Sequence, residues 1–480
     1  MQQIIAMFIV LFPNLVFVFL LIIAWFFEEK NLGRYLKFFF VWIILPIVFI
    51  NGLIYTFLLP FWSPIDERAH FAYVEFLSEE HKLPLLTDYV SSNDLAIQAK
   101  TYPNLSPLSP QKAGFSGTQY EAFQPPLYYI LSVPFYKMAG KNFINKIYFL
   151  RIWGVIQLLV VVFISFKIFE SLKKFFTKKL LFWETLGVAL IGMTPSMVVR
   201  SVTIGNSILP IIFVGLIILW ISRFLVKTKQ FTYKEAAVLG IFTGFAILSR
   251  FLMVIIIPMI LVLFFLIFIK KGGVKRYILS NLIFIALISI LLSPWLFFNH
   301  VHYNSFTANG QAKKIQAPIL NPNNSKIGLT YVKSQTKVSL ENLWIPDPGE
   351  INWHAFGGFQ PITKFLVYFI NTIWLLGLIV VIGLLIKGVE KHTKARNIMV
   401  SAVIVVFVNY LFLVLGSIIN NWPMLLGRYM HPVILGIALL YIYPLFIFNR
   451  KMSKVLSLII VFIALLPLLL NFDYLLSLLM

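Results

Sequence analysis

Apolar runs of about 17 to 25 residues recur along nearly the whole chain, and each is long enough to cross the ~30 Å hydrocarbon core of a bilayer as a helix. The runs predict spans at roughly residues 4–27, 37–61, 143–168, 180–199, 207–226, 236–249, 251–269, 277–298, 364–387, 398–416, 429–448 and 455–472. The sixth and seventh fit either one long kinked helix or two short helices meeting at Arg250. We therefore expect an all-α protein, a polytopic membrane bundle of about twelve spans.

Two long polar segments interrupt this pattern, at residues 62–142 and 299–363. Both are rich in Pro, Asn, Gly, Trp and Tyr, and the first ends in a short apolar stretch after Pro125 and Pro126. That stretch predicts an interfacial helix, with Tyr128, Tyr129 and Tyr136 at the membrane surface. We expect a single transmembrane domain, residues 1–480, that carries two long extracytoplasmic loops.

Composition and charge support a membrane protein and indicate its orientation. Of 480 residues, 60% are hydrophobic and 12% are charged, whereas an ordinary soluble domain has roughly 25% charged residues. The net charge of +22 lies in short basic clusters in alternate loops, which predicts a cytoplasmic side rather than nucleic-acid binding. Both long segments and both termini then lie outside a multi-pass plasma membrane protein. The chain has no Cys, which excludes disulfides and cysteine nucleophiles.

The stretch "SPIDERAHFAYVEF", residues 63–76, concentrates charge where a span should end. One interpretation is a surface helix start, with Ser63 as the N-cap and Asp66 completing a capping box. The other is chemical, because Asp66 and His70 lie one turn apart on one helix face, beside Glu67. A carboxylate at the outer membrane edge can act as a general base toward an acceptor hydroxyl.

Several motifs occur in an order that resembles one family. The Asp66-Glu67 pair is followed by "QYEAFQPPLYY", by the Arg of "YFLRIWGVIQ", and then by "TPSMVVRSVTIGNSIL", "GIFTGFAILSR", "SPWLFFNHVHYNSF" and "NWPMLLGRYMHPVI". Spread over residues 60–435, they resemble the GT-C superfamily of membrane glycosyltransferases, which includes protein O-mannosyltransferases and lipid A aminoarabinose transferases, and most of all a bacterial GT-C-like subgroup. Three positions depart from the family pattern: Gln124 replaces a His, Ser207 an Asp, and Phe298 an Arg.

The resemblance implies a transferase that moves a sugar from a polyprenyl-phosphate donor to a cell-envelope acceptor at the extracytoplasmic face, with inversion. It implies Asp66 as general base and Glu67 as a residue that orients the acceptor. A divalent cation, Mg²⁺ or Mn²⁺, held by Glu67 or Asp66, is an optional cofactor. The acceptor is a polymer, lipid or protein, and membrane lipids are further partners. The substrate-binding residues implied are His70, Tyr120, Glu121, Arg151, Arg200, Asn206, Arg250, Arg428 and Tyr429.

Alternatives stay open at this point. The Arg residues near outer span ends also fit snorkelling to the interface, and His431 fits a structural role. The segment "LENLWIPDPGEINWHAFGGFQP", residues 341–361, fits either a loop that covers a sugar site or an interfacial aromatic loop. For the whole chain, a transporter or flippase of lipid-linked saccharides and a catalytically inactive GT-C-like scaffold are the rival interpretations.

Overall fold

The structure is a computed structural model. It describes residues 2–26, 33–62, 66–88, 119–171, 180–227, 232–271, 273–312, 329–346, 361–386, 393–420, 429–451 and, near the end, 466, 468–471 and 474–475. Every regular element within these residues is a helix, which confirms the all-α class. The helices are α1 Gln2–Phe26, α2 Gly33–Leu58, α3 Glu67–Glu80, α4 Leu127–Met138, α5 Phe143–Ser171, α6 Leu180–Gly192, α7 Pro195–Val202, α8 Leu209–Lys227, α9 Tyr233–Ser249, α10 Ile256–Lys271, α11 Val274–Tyr303, α12 Leu329–Asn342, α13 Pro361–Ile386, α14 Thr393–Asn420 and α15 Ile434–Lys451. Short 3₁₀ turns cover Tyr120–Phe123, Phe251–Ile255 and His431–Val433.

The helices coincide with each predicted span from 4–27 to 429–448, whereas 455–472 lies mostly outside the described residues. Within the described residues, four helical segments are long and apolar enough to cross a membrane by themselves: Phe143–Ser171, Val274–Tyr303, Lys364–Gly383 and Ala402–Ile419. Shorter apolar helices occupy several of the other predicted spans. The protein is therefore a polytopic membrane bundle, and about twelve spans remains a prediction.

The predicted span 180–199 is not a continuous helix. Helix α6 ends at Gly192, and α7 starts at Pro195 with its axis bent by 52°. Pro195 has no N–H and cannot continue the α6 hydrogen-bond ladder, while Thr194 is extended at the α7 N-cap. The N–H of Ser196 instead donates to the carbonyl of Trp344, at 3.1 Å. A residue of the second long segment thus completes the hydrogen bonding of this bend.

The sixth and seventh predicted spans are separate helices. Helix α9 ends at Ser249, Arg250 is extended with φ −158° and ψ 122°, and a 3₁₀ turn leads into α10. Of the two arrangements that the sequence left open, the structure has the one in which two helices meet at Arg250.

A close contact fixes α5 against α7. A Cβ added at Gly154 would lie 1.7 Å from the carbonyl oxygen of Ser201, so this crossing requires glycine. Because α5 also carries Arg151, one turn earlier, the contact sets the position of that side chain.

A neutral polar cluster joins α1 and α2 to the last described residues. Asn471 donates to the side-chain oxygens of Asn14, at 2.8 Å, and Asn51, at 3.4 Å. It accepts from the hydroxyl of Tyr55 at 2.7 Å. All four side chains are buried. We call these residues the asparagine cluster; hydrogen bonds between helices are a typical source of stability inside membranes.

Candidate active site

A buried ion pair lies at the centre of the loop-bearing end of the bundle. Arg151 and Glu67 are 1% and 0% exposed and approach to 2.8 Å. Arg151 donates through Nε and Nη2 to the Glu67 carboxylate, through Nη1 to the carbonyls of Thr56 and Leu59, and through Nη2 to that of Pro60. These five bonds use every N–H donor of the guanidinium.

The Glu67 carboxylate is also fully engaged. Besides Arg151, it accepts the backbone N–H of Trp62 at 3.0 Å and that of Ile204 at 3.2 Å. Trp62 has φ 61°, a left-handed conformation that bulky side chains rarely adopt, and its bond to Glu67 stabilises that turn. We call Arg151, Glu67 and their backbone partners the ion-pair junction. Glu67 and Arg151 thus face the protein interior, which differs from the substrate-contacting positions expected for them.

Asp66 precedes the junction at the N-cap of α3 and is partly exposed. Its carbonyl accepts from Ala69 and His70, but its side chain makes no cap hydrogen bond. The expected surface helix is wrong in one respect, because most of α3 is buried. The proposed N-cap Ser63 lies outside the described residues. Asp66 and Glu67 are therefore sequence neighbours with different surroundings, one at the edge of the site and one beneath it.

His70 and Tyr129 form the next layer. The His70 Nδ1 atom lies 2.8 Å from the Tyr129 hydroxyl, and Tyr129 stacks on Tyr73 with ring centroids 3.6 Å apart. Burial raises the pKa of Tyr129 well above its usual value, nearby Glu121 raises it further, and Arg250 lowers it. Tyr129 therefore stays neutral and keeps its proton for hydrogen bonding.

The tyrosines of α4 correct an expectation from the sequence. Tyr128, Tyr129 and Tyr136 are buried rather than at the membrane surface. Tyr136 accepts from Lys146 at 2.8 Å and donates toward Glu79 at 3.0 Å. No local sequence signal distinguishes these buried tyrosines from tyrosines at a membrane surface.

The turn between α7 and α8 contacts all these segments. Four successive residues, 204–207, each bind a different element. The N–H of Gly205 donates to the Tyr128 hydroxyl at 2.9 Å, and a Cβ at Gly205 would lie 3.1 Å from the His70 ring. Asn206 donates to the side-chain oxygen of Gln124 at 3.2 Å. Sequence reasoning identified Asn206 here but missed the role of its neighbours.

Arg250 lies beyond the turn. Its Nη1 is 3.4 Å from the Ser207 hydroxyl, and its guanidinium carbon is 5.0 Å from the centroid of the Tyr429 ring. Burial raises the pKa of Tyr331, on α12, to about 12, with a smaller contribution from Tyr429. Arg250 and Tyr429 are thus brought together, and α12 of the second long segment lies close to them. Arg428 lies outside the described residues.

The remaining expected residues take different places. Glu121 is buried in the 3₁₀ turn that Tyr120 begins, and it acts electrostatically on Tyr73 and Tyr129. Arg200 is buried in α7, just before the turn. His431 lies 2.8 Å from the Ser196 hydroxyl and is buried, so it packs in the protein interior rather than at the membrane interface.

The two long segments meet over this site. The N–H of Leu86 donates to the Tyr303 hydroxyl at 2.9 Å, and Leu86 packs with Ala122, Ala308 and Ala312 in a small apolar cluster. Of residues 341–361, residues 343–346 are buried, and Trp344 donates to Asn371 at 2.8 Å. Residues 347–360, expected either to cover a sugar or to lie at the interface, are outside the described part.

A partly open apolar pocket lies among α8, α10, α14 and α15. Ile217, Met259, Val405 and Leu439 are among its lining residues. Arg250 and Tyr429 lie just before the two lining helices α10 and α15. Among the described residues, no group of three or more His, Asp or Glu could hold a metal ion.

Fold and site together define a polytopic helical membrane protein whose polar and aromatic residues gather at the end that bears the long loops. No protein-family model and no curated protein matches the chain. Solved structures match it by fold. It is similar to the oligosaccharyltransferase of Archaeoglobus fulgidus in the apo form, with 12% identity and a TM-score of 0.53 over 94% of this chain and 57% of that one.

A second match is ArnT from Cupriavidus metallidurans bound to undecaprenyl phosphate, with 12% identity and a TM-score of 0.48 over 88% of this chain and 61% of that one. Both proteins are GT-C superfamily members. The chain spans 57% and 61% of the length of these two structures. The match to the oligosaccharyltransferase confirms that this chain has a GT-C-like polytopic fold, as the sequence resemblance implied.

Proposed function

We propose that the protein is a glycosyltransferase that takes a sugar from a polyprenyl-phosphate donor and passes it to a cell-envelope acceptor at the extracytoplasmic face. One observation carries the proposal: the cation Arg250, packed on Tyr429, lies just before helices that line a partly open apolar pocket. A buried guanidinium suits a phosphate. A pocket with this almost wholly apolar lining suits part of an isoprenoid chain.

In the proposed mechanism, Asp66 accepts the proton of the acceptor hydroxyl while that oxygen attacks the anomeric carbon. The bond from the anomeric carbon to the phosphate oxygen breaks, polyprenyl phosphate leaves, and the anomeric centre inverts. Arg250 stabilises the charge that develops on the leaving phosphate, together with Arg428 or Arg200. We assign His70, Glu121 and Asn206 to sugar binding.

We assign Glu67 and Arg151 to positioning instead. Because their charges satisfy each other beneath the site, they hold α3 so that Asp66 and His70 stay at its edge. An optional divalent cation would therefore depend on Asp66 rather than on Glu67. The acceptor class, whether polymer, lipid or protein, is left to experiment.

The fold supports the proposal by analogy. The archaeal protein whose fold this chain shares is an oligosaccharyltransferase, which makes glycosyl transfer the first reaction to test. Fold by itself does not fix function, so the residues at the site carry the argument.

The direct test uses purified protein in liposomes that contain a labelled polyprenyl-phosphate sugar. Transfer of the label to added envelope fractions, lost in Arg250→Gln, supports the enzyme. Movement of the lipid between leaflets without transfer supports a flippase. The absence of both transfer and movement supports an inactive scaffold. Each of these last two outcomes overturns the proposal.

The side of the membrane has its own test. Lys82 is exposed, with 65% of its side chain accessible, and the chain has no native Cys. Lys82→Cys should react with an impermeant maleimide in intact cells. Labelling only after permeabilisation would reverse the proposed orientation and put the site on the cytoplasmic face.

A further inference from the structure

We infer that Gln124 is a positioning residue that fixes Arg250 through the turn 204–207, and that Gln124 and Ser207 belong to one hydrogen-bonded network. The inference rests on the proposed function for its ligand, a polyprenyl phosphate. It assigns a role to Gln124 and Ser207, whose residue types differ from those in the family that the sequence resembles.

Each residue of the turn 204–207 contacts a different part of the protein. Ile204 donates to Glu67 at 3.2 Å, Gly205 to Tyr128 at 2.9 Å, and Asn206 to Gln124 at 3.2 Å. Ser207 then lies 3.4 Å from Arg250. The four partners belong to four different elements. The position of the turn is therefore fixed when all four contacts form together.

Gln124 is suited to this role by its chemistry. Its side-chain oxygen accepts from Asn206, which is only 2% exposed. Its backbone is fixed as well, since its N–H donates to Glu121 at 2.9 Å and Pro125 restricts the conformation that follows it. A neutral imidazole can accept a bond through one ring nitrogen only, and an imidazolium accepts none. The amide therefore holds Asn206 at any pH.

Ser207 completes the network on the Arg250 side. A hydroxyl at this position contacts the guanidinium without neutralising it, whereas an aspartate there would form an ion pair with it. The guanidinium also packs on Tyr429 at 5.0 Å, so Ser207 and Tyr429 together set its position. The expected consequence is that the turn sets the affinity for phosphate rather than the chemical step.

The test measures two quantities on the full chain in nanodiscs: affinity for undecaprenyl phosphate, and amide exchange at residues 204–207. Gln124→Leu should weaken affinity by about tenfold, the loss expected for one buried hydrogen bond, and should speed exchange in the turn. Gln124→Glu keeps an acceptor of the same shape and should restore slow exchange even if Gln124→Leu folds poorly. Gln119→Leu is the matched control, since Gln119 bonds Ala72 and not the turn.

A double-mutant cycle with Arg250→Gln separates positioning from direct contact. If Gln124 acts through Arg250, Gln124→Leu should have almost no further effect on affinity in the Arg250→Gln background. The same tenfold loss in both backgrounds would mean that Gln124 touches the ligand itself and would overturn the inference. Wild-type affinity and exchange in Gln124→Leu would also overturn it.

Failure of the proposed function gives a different result. If the wild-type protein does not bind undecaprenyl phosphate, the donor assignment is wrong. Amide exchange still decides the positioning role in that case, since it needs no ligand: faster exchange in Gln124→Leu, but not in Gln119→Leu, supports it, and unchanged exchange contradicts it.

Discussion

The ion-pair junction and the asparagine cluster are both buried polar groups at which helices meet, yet they are satisfied to different degrees. In the junction, five bonds from Arg151 and two backbone bonds to Glu67 engage every side-chain polar atom. In the asparagine cluster, the amide nitrogens of Asn14 and Asn51 have no partner among the described residues.

The difference follows from the cost of removing each group from water. A buried ion without complete compensation costs several kcal/mol, whereas an unmade bond of a neutral amide costs about 1 to 3 kcal/mol. A buried charge therefore requires a partner for each of its polar atoms, whereas a buried neutral amide tolerates an atom without one. The comparison predicts that replacements at the junction have large effects, and those in the asparagine cluster small ones.

The largest expected effect is that of Arg151→Met. It leaves the Glu67 carboxylate buried without its cation, and we expect a loss of about 3 to 5 kcal/mol in the free energy of unfolding. Chemical denaturation in detergent measures it. The double variant Glu67→Leu/Arg151→Met removes both charges and should recover most of the loss. A stable single variant would show that the junction resembles the asparagine cluster after all.

The next effect distinguishes the adjacent carboxylates Asp66 and Glu67. Asp66→Asn keeps the side-chain size and should reduce sugar transfer by ~10²-fold or more, since an amide cannot accept the proton. Its stability should fall by only ~0.3 to 1 kcal/mol, the charge-dipole contribution at a helix start. Glu67→Gln should show the opposite pattern, with a larger loss in the free energy of unfolding than Asp66→Asn and a smaller direct effect on sugar transfer. Transfer at a near wild-type rate in Asp66→Asn would exclude it as the base.

A third prediction concerns the close crossing of α5 and α7, one turn from Arg151 of the ion-pair junction. Gly154→Ala would place a Cβ 1.7 Å from the Ser201 carbonyl and push α5, with Arg151, away from α7. We expect a loss of about 1 to 3 kcal/mol, typical of overpacking, measured as a lower melting temperature. Gly383→Ala is the control, because a Cβ there meets nothing within 4 Å. Equal melting temperatures for the two variants would contradict the close crossing.

The smallest effect is expected for Asn471→Leu. It removes bonds to Asn14, Asn51 and Tyr55, yet interhelical bonds in membranes average only about 0.6 kcal/mol each, or roughly 2 kcal/mol for all three. Leu also adds apolar contact, so the net loss should stay below that of Gly154→Ala. A loss as large as that of Arg151→Met would show that the asparagine cluster is as critical as the ion pair.

Helix positions were predictable because a span needs a fixed length of apolar chain, and each predicted span within the described residues corresponds to helix. The break at Pro195 was visible as "TPS", but the surrounding apolar run hid it. Boundaries at Ser249 and Arg250 could not be chosen from the sequence, since apolar residues continue on both sides of the Arg. Tertiary packing decided between the two alternatives.

The site was less predictable for a physical reason. Arg151 lies 84 residues from Glu67, so no local spacing reveals that they pair, and the same pattern fits a snorkelling cation. Asp66 and Glu67 are neighbours on a short polar helix without a clear apolar stripe, so its buried face could not be assigned. The chemistry of Tyr129 suits both a membrane surface and a core, and only packing against Tyr73 and His70 distinguishes them.

The bend between α6 and α7 has a consequence for biosynthesis. The backbone N–H of Ser196 donates to Trp344, a residue translated long after α7 has left the ribosome. Nascent chains fold from the N-terminus, and a broken helix at membrane depth needs protein partners for its exposed backbone. The α6–α7 pair can therefore reach its final hydrogen bonding only after Trp344 of the second long segment has been synthesised and has packed against it. Truncation before Trp344 should leave Ser196 open to hydrogen exchange.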